Sequence, residues 1–129
     1  LGIFQSAIME YQIIISKDPF ATADDYYNRG FAYYSTDEFW KAIKDFNQAI
    51  VLEPTPALYE LRGISYYETA SGILEDQYWN AVSDFTTAIG WEPTGDLYAW
   101  RAVTYDALGL DLLADNDMLS ACFFDRYYC

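Results

Sequence analysis

The chain of 129 residues contains no histidine, and only 7 of its residues are Lys or Arg. Without histidine, the commonest general base, the usual triads and every imidazole metal site drop out. Two cysteines cannot complete a four-thiolate zinc site. Against the 7 bases stand 20 acids, a net charge of −13. The chain therefore lacks the cationic excess that nucleic-acid phosphates and anionic lipid surfaces require. No run approaches the roughly 18 consecutive apolar residues of a membrane-spanning helix. The opening Leu1-Gly2-Ile3-Phe4 has neither an initiator Met nor the basic stretch of a signal peptide, which implies a chain that is processed, trimmed or part of something longer. None of Asn28, Asn47, Asn80 and Asn116 opens a glycosylation sequon. No cofactor, metal, nucleic acid or membrane insertion is expected.

Acid-based catalysis fares no better. Asp24-Asp25, Glu75-Asp76 and Asp115/Asp117 fall in turns or at helix starts, where acids favour the helix dipole. Asp111, Asp115 and Asp117 lack the Asp-x-Asp-x-Asp-Gly frame and closing Glu of a calcium loop. The expectation is a protein without enzymatic activity. Its length suits one domain with a sizeable core.

What is present is a repeat. Residues 26–54, 59–93 and 98–121 share the frame Tyr-x-x-Arg-Gly/Ala-x-x-Tyr, then Ala-x-x-Asp-Phe/Met-x-x-Ala, then Pro in the first two. The first copy places Tyr26, Arg29, Gly30, Tyr33, Ala42, Asp45, Phe46, Ala49 and Pro54 in it. The second places Tyr59, Arg62, Gly63, Tyr66, Ala81, Asp84, Phe85, Ala88 and Pro93. The third places Tyr98, Arg101, Ala102, Tyr105, Ala114, Asp117, Met118 and Ala121. Six extra residues separate Gly63 from Ala81; they are expected in the turn around Thr69 to Gln77, since loops lengthen at little cost. Ala7, Glu10, Tyr11, Ile14 and Pro19 repeat the second half of the frame, so the chain opens inside a repeat.

This pattern resembles the tetratricopeptide repeat family, whose 34-residue helix–turn–helix unit carries an aromatic, Leu-Gly, Tyr, Ala, an aromatic and Pro at fixed offsets. The resemblance spans nearly the whole chain. It implies an all-α, right-handed superhelical solenoid of antiparallel helix pairs. The divisions would be a half repeat over 1–22 and repeats over 23–55, 56–94 (with the insertion) and 95–129. Helices are predicted near 3–17, 22–35, 38–51, 56–70, 77–90, 95–108 and 111–127. Ser35, Thr36 and Asp37 are candidate caps for the third of these.

Small residues at Gly30, Gly63 and Ala102, and at Ala42, Ala81 and Ala114, let paired helices approach closely. Tyr33, Phe46 and their equivalents fill the space around the crossing. Arg29, Arg62 and Arg101 recur on the first helix and Asp45, Asp84 and Asp117 on the second. A partly buried Arg–Asp pair within each repeat is expected to fix how the helices mate.

The resemblance also implies a concave groove lined by first helices. Carried over residue by residue, it comprises Asp24, Tyr27, Asn28, Phe31 and Tyr34, then Glu60, Leu61, Ile64, Tyr67 and Glu68, then Asp96, Trp100, Val103 and Asp106. Places where some family members hold a peptide carboxylate with Lys, Arg and Asn are here Tyr27, Phe31, Leu61, Asp96 and Trp100. An acidic partner would be repelled; a protein segment with apolar anchors and basic residues fits better. The alternative function is structural. Both ends look uncapped, with Phe4, Ile8, Tyr11 and Ile15 at one and Phe123, Phe124, Tyr127 and Tyr128 at the other. Head-to-tail stacking into a fibre or ring would cover them. Cys122 and Cys129 are seven apart, roughly 10 Å along a continuous helix. That is too far for an internal bridge, so free thiols or cross-links between subunits are expected.

Overall fold

The computed structural model describes residues 2–129. They form seven helices, α1 (Ile3–Lys17), α2 (Ala23–Ser35), α3 (Phe39–Leu52), α4 (Pro56–Thr69), α5 (Glu75–Trp91), α6 (Gly95–Ala107) and α7 (Asp111–Phe124), followed by a short 3-10 turn at Arg126–Tyr128. There is no strand among the described residues. Each helix packs on the next in sequence, and α2, α4 and α6 also touch side by side. The result is a solenoid of antiparallel pairs α2–α3, α4–α5 and α6–α7, with α1 as a leading half.

One device starts the three inner helices. Thr22, Thr55 and Thr94 stand at the same place in the repeat, and each side chain accepts a bond from the backbone N–H three residues on. Asp25 closes the first into a capping box, and Pro56 opens α4 at a position whose N–H needs no partner. The outer helices α3, α5 and α7 have no side-chain cap. Ser35, Thr36 and Asp37 do not cap α3, contrary to expectation. Thr36 instead donates to the Ala32 and Tyr33 carbonyls at the end of α2, and Ser35 donates to the Phe31 carbonyl.

Packing explains the small residues. A Cβ on Gly30 would lie 2.9 Å from Phe46 Cε1, and one on Gly63 would lie 2.8 Å from Phe85 Cε1. The bare backbone is the floor on which each ring rests, and both rings are fully buried. Two core clusters result. One joins Ile8, Ala32, Tyr33, Ala42, Phe46, Ala49 and Leu58; the other joins Ile64, Ala81, Phe85, Ala88 and Leu97. Tyr34 packs against both.

Each arginine of the frame holds its aspartate with two bonds. Arg29 meets Asp45 at 2.7 and 2.8 Å, Arg62 meets Asp84 at 2.7 and 2.9 Å, and Arg101 meets Asp117 at 2.7 Å twice. The aspartates are buried. Arg62 and Arg101 reach further, to Asn47 and Thr86 on the helix of the preceding repeat. The frame tyrosines flank the guanidinium: Arg62 lies 5.4 Å from the Tyr59 ring and 5.8 Å from Tyr66, and the other two repeats match. Spacing of i, i+3 and i+7 puts these residues on one helix face, so the signal was in the frame. Hydrogen bonding and the Asp45 and Asp117 charges push Arg29 and Arg101 above their ordinary value, so the cations persist at any physiological pH.

The insertion and both ends of the chain differ from expectation. The six-residue insertion lies only partly in a turn: α4 gains one residue, the turn over 70–74 two and the start of α5 three relative to the first repeat. Ile8 is not at a free end, because it is buried against α2, and Phe4 on the same face meets Phe31 edge-on at 6.3 Å. Helix α7 stops at Phe124 rather than continuing to 127. The chain then turns, Cys129 returns to within 4.7 Å of Cys122 (Cα to Cα), and the two form a disulfide. The distance argument failed because it assumed an unbroken helix. The same turn lays Tyr128 over the start of α6, where its hydroxyl bonds Asp96. Gly95 gives the room, since a Cβ there would lie 2.9 Å from Asp125 Cβ and 3.3 Å from the Tyr128 ring. Tyr128 is thus tied down, and Phe124 stacks on Tyr98 at 5.5 Å. Phe123 and Tyr127 stay open, at 84% and 85% exposure.

Candidate functional site

The inner helices present a chain of rings. Tyr27 stacks on Phe31 at 6.2 Å, Phe31 on Tyr34 at 6.1 Å, and Tyr34 meets Phe39 edge-on at 5.9 Å. A second set continues across the next repeats, with Tyr67 edge-on to Trp100 at 5.7 Å and Trp100 stacked on Phe85 at 6.3 Å. The rings partly cover one another, and most are half-buried. Where the two sets meet, α2, α4 and α6 leave a cleft of about 480 Å³ lined by Tyr34, Ser35, Asp37, Phe39, Ile64, Glu68 and Trp100.

The other expected groove residues distribute around it. Asp24 and Tyr27 border a second depression of about 330 Å³ near the starts of α2 and α4, with Glu53 and Leu58. Val103 and Trp100 share a shallow hollow with Tyr128. Leu61 packs against the first core. Ile64 is only 7% exposed and offers a floor rather than an anchor. Asn28 is half-buried. Asp96 is exposed and accepts a hydrogen bond from the Tyr128 hydroxyl. Asp37 and Phe39 line the cleft though no repeat position pointed to them. They sit in or just after the inter-helix turn of the first repeat, which folds to the edge of the groove.

The electrostatics are one-sided. Burial pushes the Tyr34 hydroxyl up, and Glu68, Glu60 and Asp37 push it the same way. Burial likewise raises Tyr67, aided by Tyr78, Glu68 and Asp106. Burial and the neighbouring Asp96 raise the Glu60 carboxyl above the ordinary glutamate range. The only bases on α2, α4 and α6 are Arg29, Arg62 and Arg101, and each is held by its aspartate. Lys41, on α3 near the turn, is paired with Glu38 at 2.9 Å. The groove thus combines apolar ring surface with carboxylates that form no ion pair among the described residues.

No helix is long and apolar enough to cross a membrane, and no group of three potential ligands gathers for a metal, among the described residues.

Comparisons with known proteins agree on the architecture. Residues 23–56 match the family model described as tetratricopeptide repeat. A search of curated proteins returned no match. Among solved structures, one described as "MamA MSR-1 C2" superposes with a TM-score of 0.85 at 15% identity, covering 99% of this chain and 71% of that one. Another, described as the second TPR of Spaghetti (RPAP3) bound to the HSP90 peptide SRMEEVD, superposes at 0.72 with 19% identity, covering 93% of this chain and 99% of its own. At these identities the likeness is one of fold.

Proposed function

We propose that this tetratricopeptide-repeat solenoid is a non-enzymatic interaction module that grips a protein segment along the groove of α2, α4 and α6. The observation that carries it is the run of half-exposed rings, Tyr27, Phe31, Tyr34, Tyr67 and Trp100, flanked by carboxylates in no ion pair among the described residues. Aromatic surface retained on a concave face marks a docking site. The structural neighbour's peptide, SRMEEVD, ends in acids. The groove here would repel such an end, and its partner is a segment with apolar anchors and basic residues.

This function is favoured over end-to-end assembly. Four of the eight residues that would form sticky ends, Phe4, Ile8, Phe124 and Tyr128, meet other side chains within the chain. On α7, Asp111 and Asp115 occupy the register of Phe39/Tyr78 and Ile43/Val82 on the earlier outer helices. A further copy docking in the same register would therefore meet carboxylates instead of apolar side chains.

The test is selection of binders from a random twelve-residue peptide library. Phe31→Ala and Trp100→Ala, checked for unchanged helicity, are expected to lose the selected peptides while the particle keeps the size of one 14.9 kDa chain. Undiminished retention by both variants would refute the groove. Particles that grow with concentration, and lose that growth on removal of residues 121–129, would favour assembly instead.

A further inference from the structure

The cleft where α2, α4 and α6 meet has a chemistry narrower than that of the groove around it. Three rings, Tyr34, Phe39 and Trp100, form walls, and two carboxylates, Asp37 and Glu68, stand at the mouth. Both carboxylates are exposed, and neither is in an ion pair among the described residues. The C-terminal end of α2, Ser35, lies in the wall, and the partial negative charge of a helix C-terminus favours a cation there. Ring faces attract the same charge through their quadrupoles.

Asp37 adds a backbone observation. It is the one non-glycine residue with positive φ, +60°, among those described. The turn after α2 closes with Glu38 N–H donating to the Tyr33 carbonyl and Asp37 N–H to the Tyr34 carbonyl. The turn after α6 closes identically, with Leu110 to Tyr105 and Gly109 to Asp106. There the left-handed place is taken by Gly109, at φ +72°, the residue this cap ordinarily selects. The first repeat thus keeps a carboxylate at a position where glycine is the relaxed choice.

We propose that this cleft is a subsite for a single Lys or Arg side chain of the bound segment, the cation lying between Asp37 and Glu68 with its stem against Tyr34, Phe39 and Trp100. The subsite rests on the groove being the binding face. It gives the segment a register: one basic residue is seated here, and apolar residues lie along Phe31 and Tyr27 on one side and Val103 on the other. Arg suits the site better than Lys, because its flat guanidinium stacks on rings and bridges two carboxylates.

The experiment titrates the whole chain with Nα-acetyl-argininamide, Nα-acetyl-lysinamide and the neutral Nα-acetyl-glutaminamide, followed by amide and indole NMR shifts. Saturable shifts at Ser35, Glu68 and the Trp100 indole are expected with the two cations and not with the amide. Asp37→Gly should weaken argininamide about two- to fivefold, in line with one partly exposed ion pair. It should also raise the melting temperature by relaxing the turn, so that lost binding is not lost folding. Asp37→Gly combined with Glu68→Gln should abolish saturation. Glu75→Gln/Asp76→Asn, which removes two exposed acids elsewhere, should change nothing. Equal shifts with glutaminamide, or an equal loss in that control, would overturn the subsite. Library peptides that need Trp100 but are indifferent to Asp37→Gly/Glu68→Gln would overturn it and leave the groove standing. Peptides indifferent to Trp100 would overturn both.

Discussion

The first two repeats and the third use one frame with different core residues. In the former, a glycine faces a phenylalanine: Gly30 under Phe46 and Gly63 under Phe85, both rings sealed from water. In the latter, Ala102 and Met118 hold the equivalent positions, a methyl gained and a ring lost. Met118 is 37% exposed, and α7 leaves Leu112 and Leu119 at 82% and 71% exposure. The third pair keeps both Arg101–Asp117 bonds, at 2.7 Å, as short as any in the other two repeats. The polar pair is therefore kept where apolar packing thins out. The third repeat has instead a tail, closed by Cys122–Cys129 and by Tyr128 on Asp96.

That contrast can be broken or sharpened in order of expected effect. The largest is Phe85→Ala, which should cost about 3–5 kcal/mol in a denaturant melt. Met118→Ala at the matching position should cost well under about 2 kcal/mol, because the side chain already meets water. Equal costs would mean that α7 is packed as tightly as α5. Next, Arg62→Met leaves Asp84 buried alone and should cost about 3 kcal/mol; Arg62→Met with Asp84→Leu should recover most of it. Gly63→Ala should destabilise by about 1–3 kcal/mol through collision with the Phe85 ring, whereas Gly72→Ala, with nothing near its added methyl, should be close to neutral. Replacing both cysteines by Ser should free the tail, seen as faster amide exchange at Gly95 and Asp96, with global stability falling by no more than about 3 kcal/mol for so short a loop.

The smallest effect concerns pH. Burial and Asp96 raise the folded carboxyl of Glu60 above its unfolded value. The folded state therefore holds that proton more tightly, and the associated stability is present in acid and lost as pH rises through the folded pKa. Glu60→Gln should accordingly melt slightly higher than the parent at pH 7, and the gain should vanish as the carboxyl protonates in acid. A gain that persists unchanged in acid would show the charge to be irrelevant.

The repeat frame made the helices and their pairing legible, since three registered copies mark the same small residues, the same Arg and the same Asp. The tyrosines that flank each arginine are the frame's own, and the caps Thr22, Thr55 and Thr94 stand four residues before the first tyrosine of each copy. The end of α7 was not legible. Its apolar periodicity runs on past Phe124, and the stop depends on Gly95, thirty residues earlier, offering space for Asp125 and Tyr128. Local pattern carries no trace of such a distant contact. The cleft was half legible: Tyr34, Glu68 and Trp100 follow from their helix positions, but Asp37 and Phe39 reach it only through the conformation of a turn. Ile64 could not be told from an exposed anchor, because burial on a concave face depends on how neighbouring rings lean together.

The chain contains 4 tryptophans, and their surroundings differ. Trp40, Trp79 and Trp91 are 52%, 49% and 55% exposed, whereas Trp100 is wedged between Phe85 and Tyr67 in the wall of the cleft. Its emission should be the bluest of the four and the slowest to be quenched by acrylamide. Occupation of the groove should therefore register as a change in the chain's own fluorescence, with no label attached.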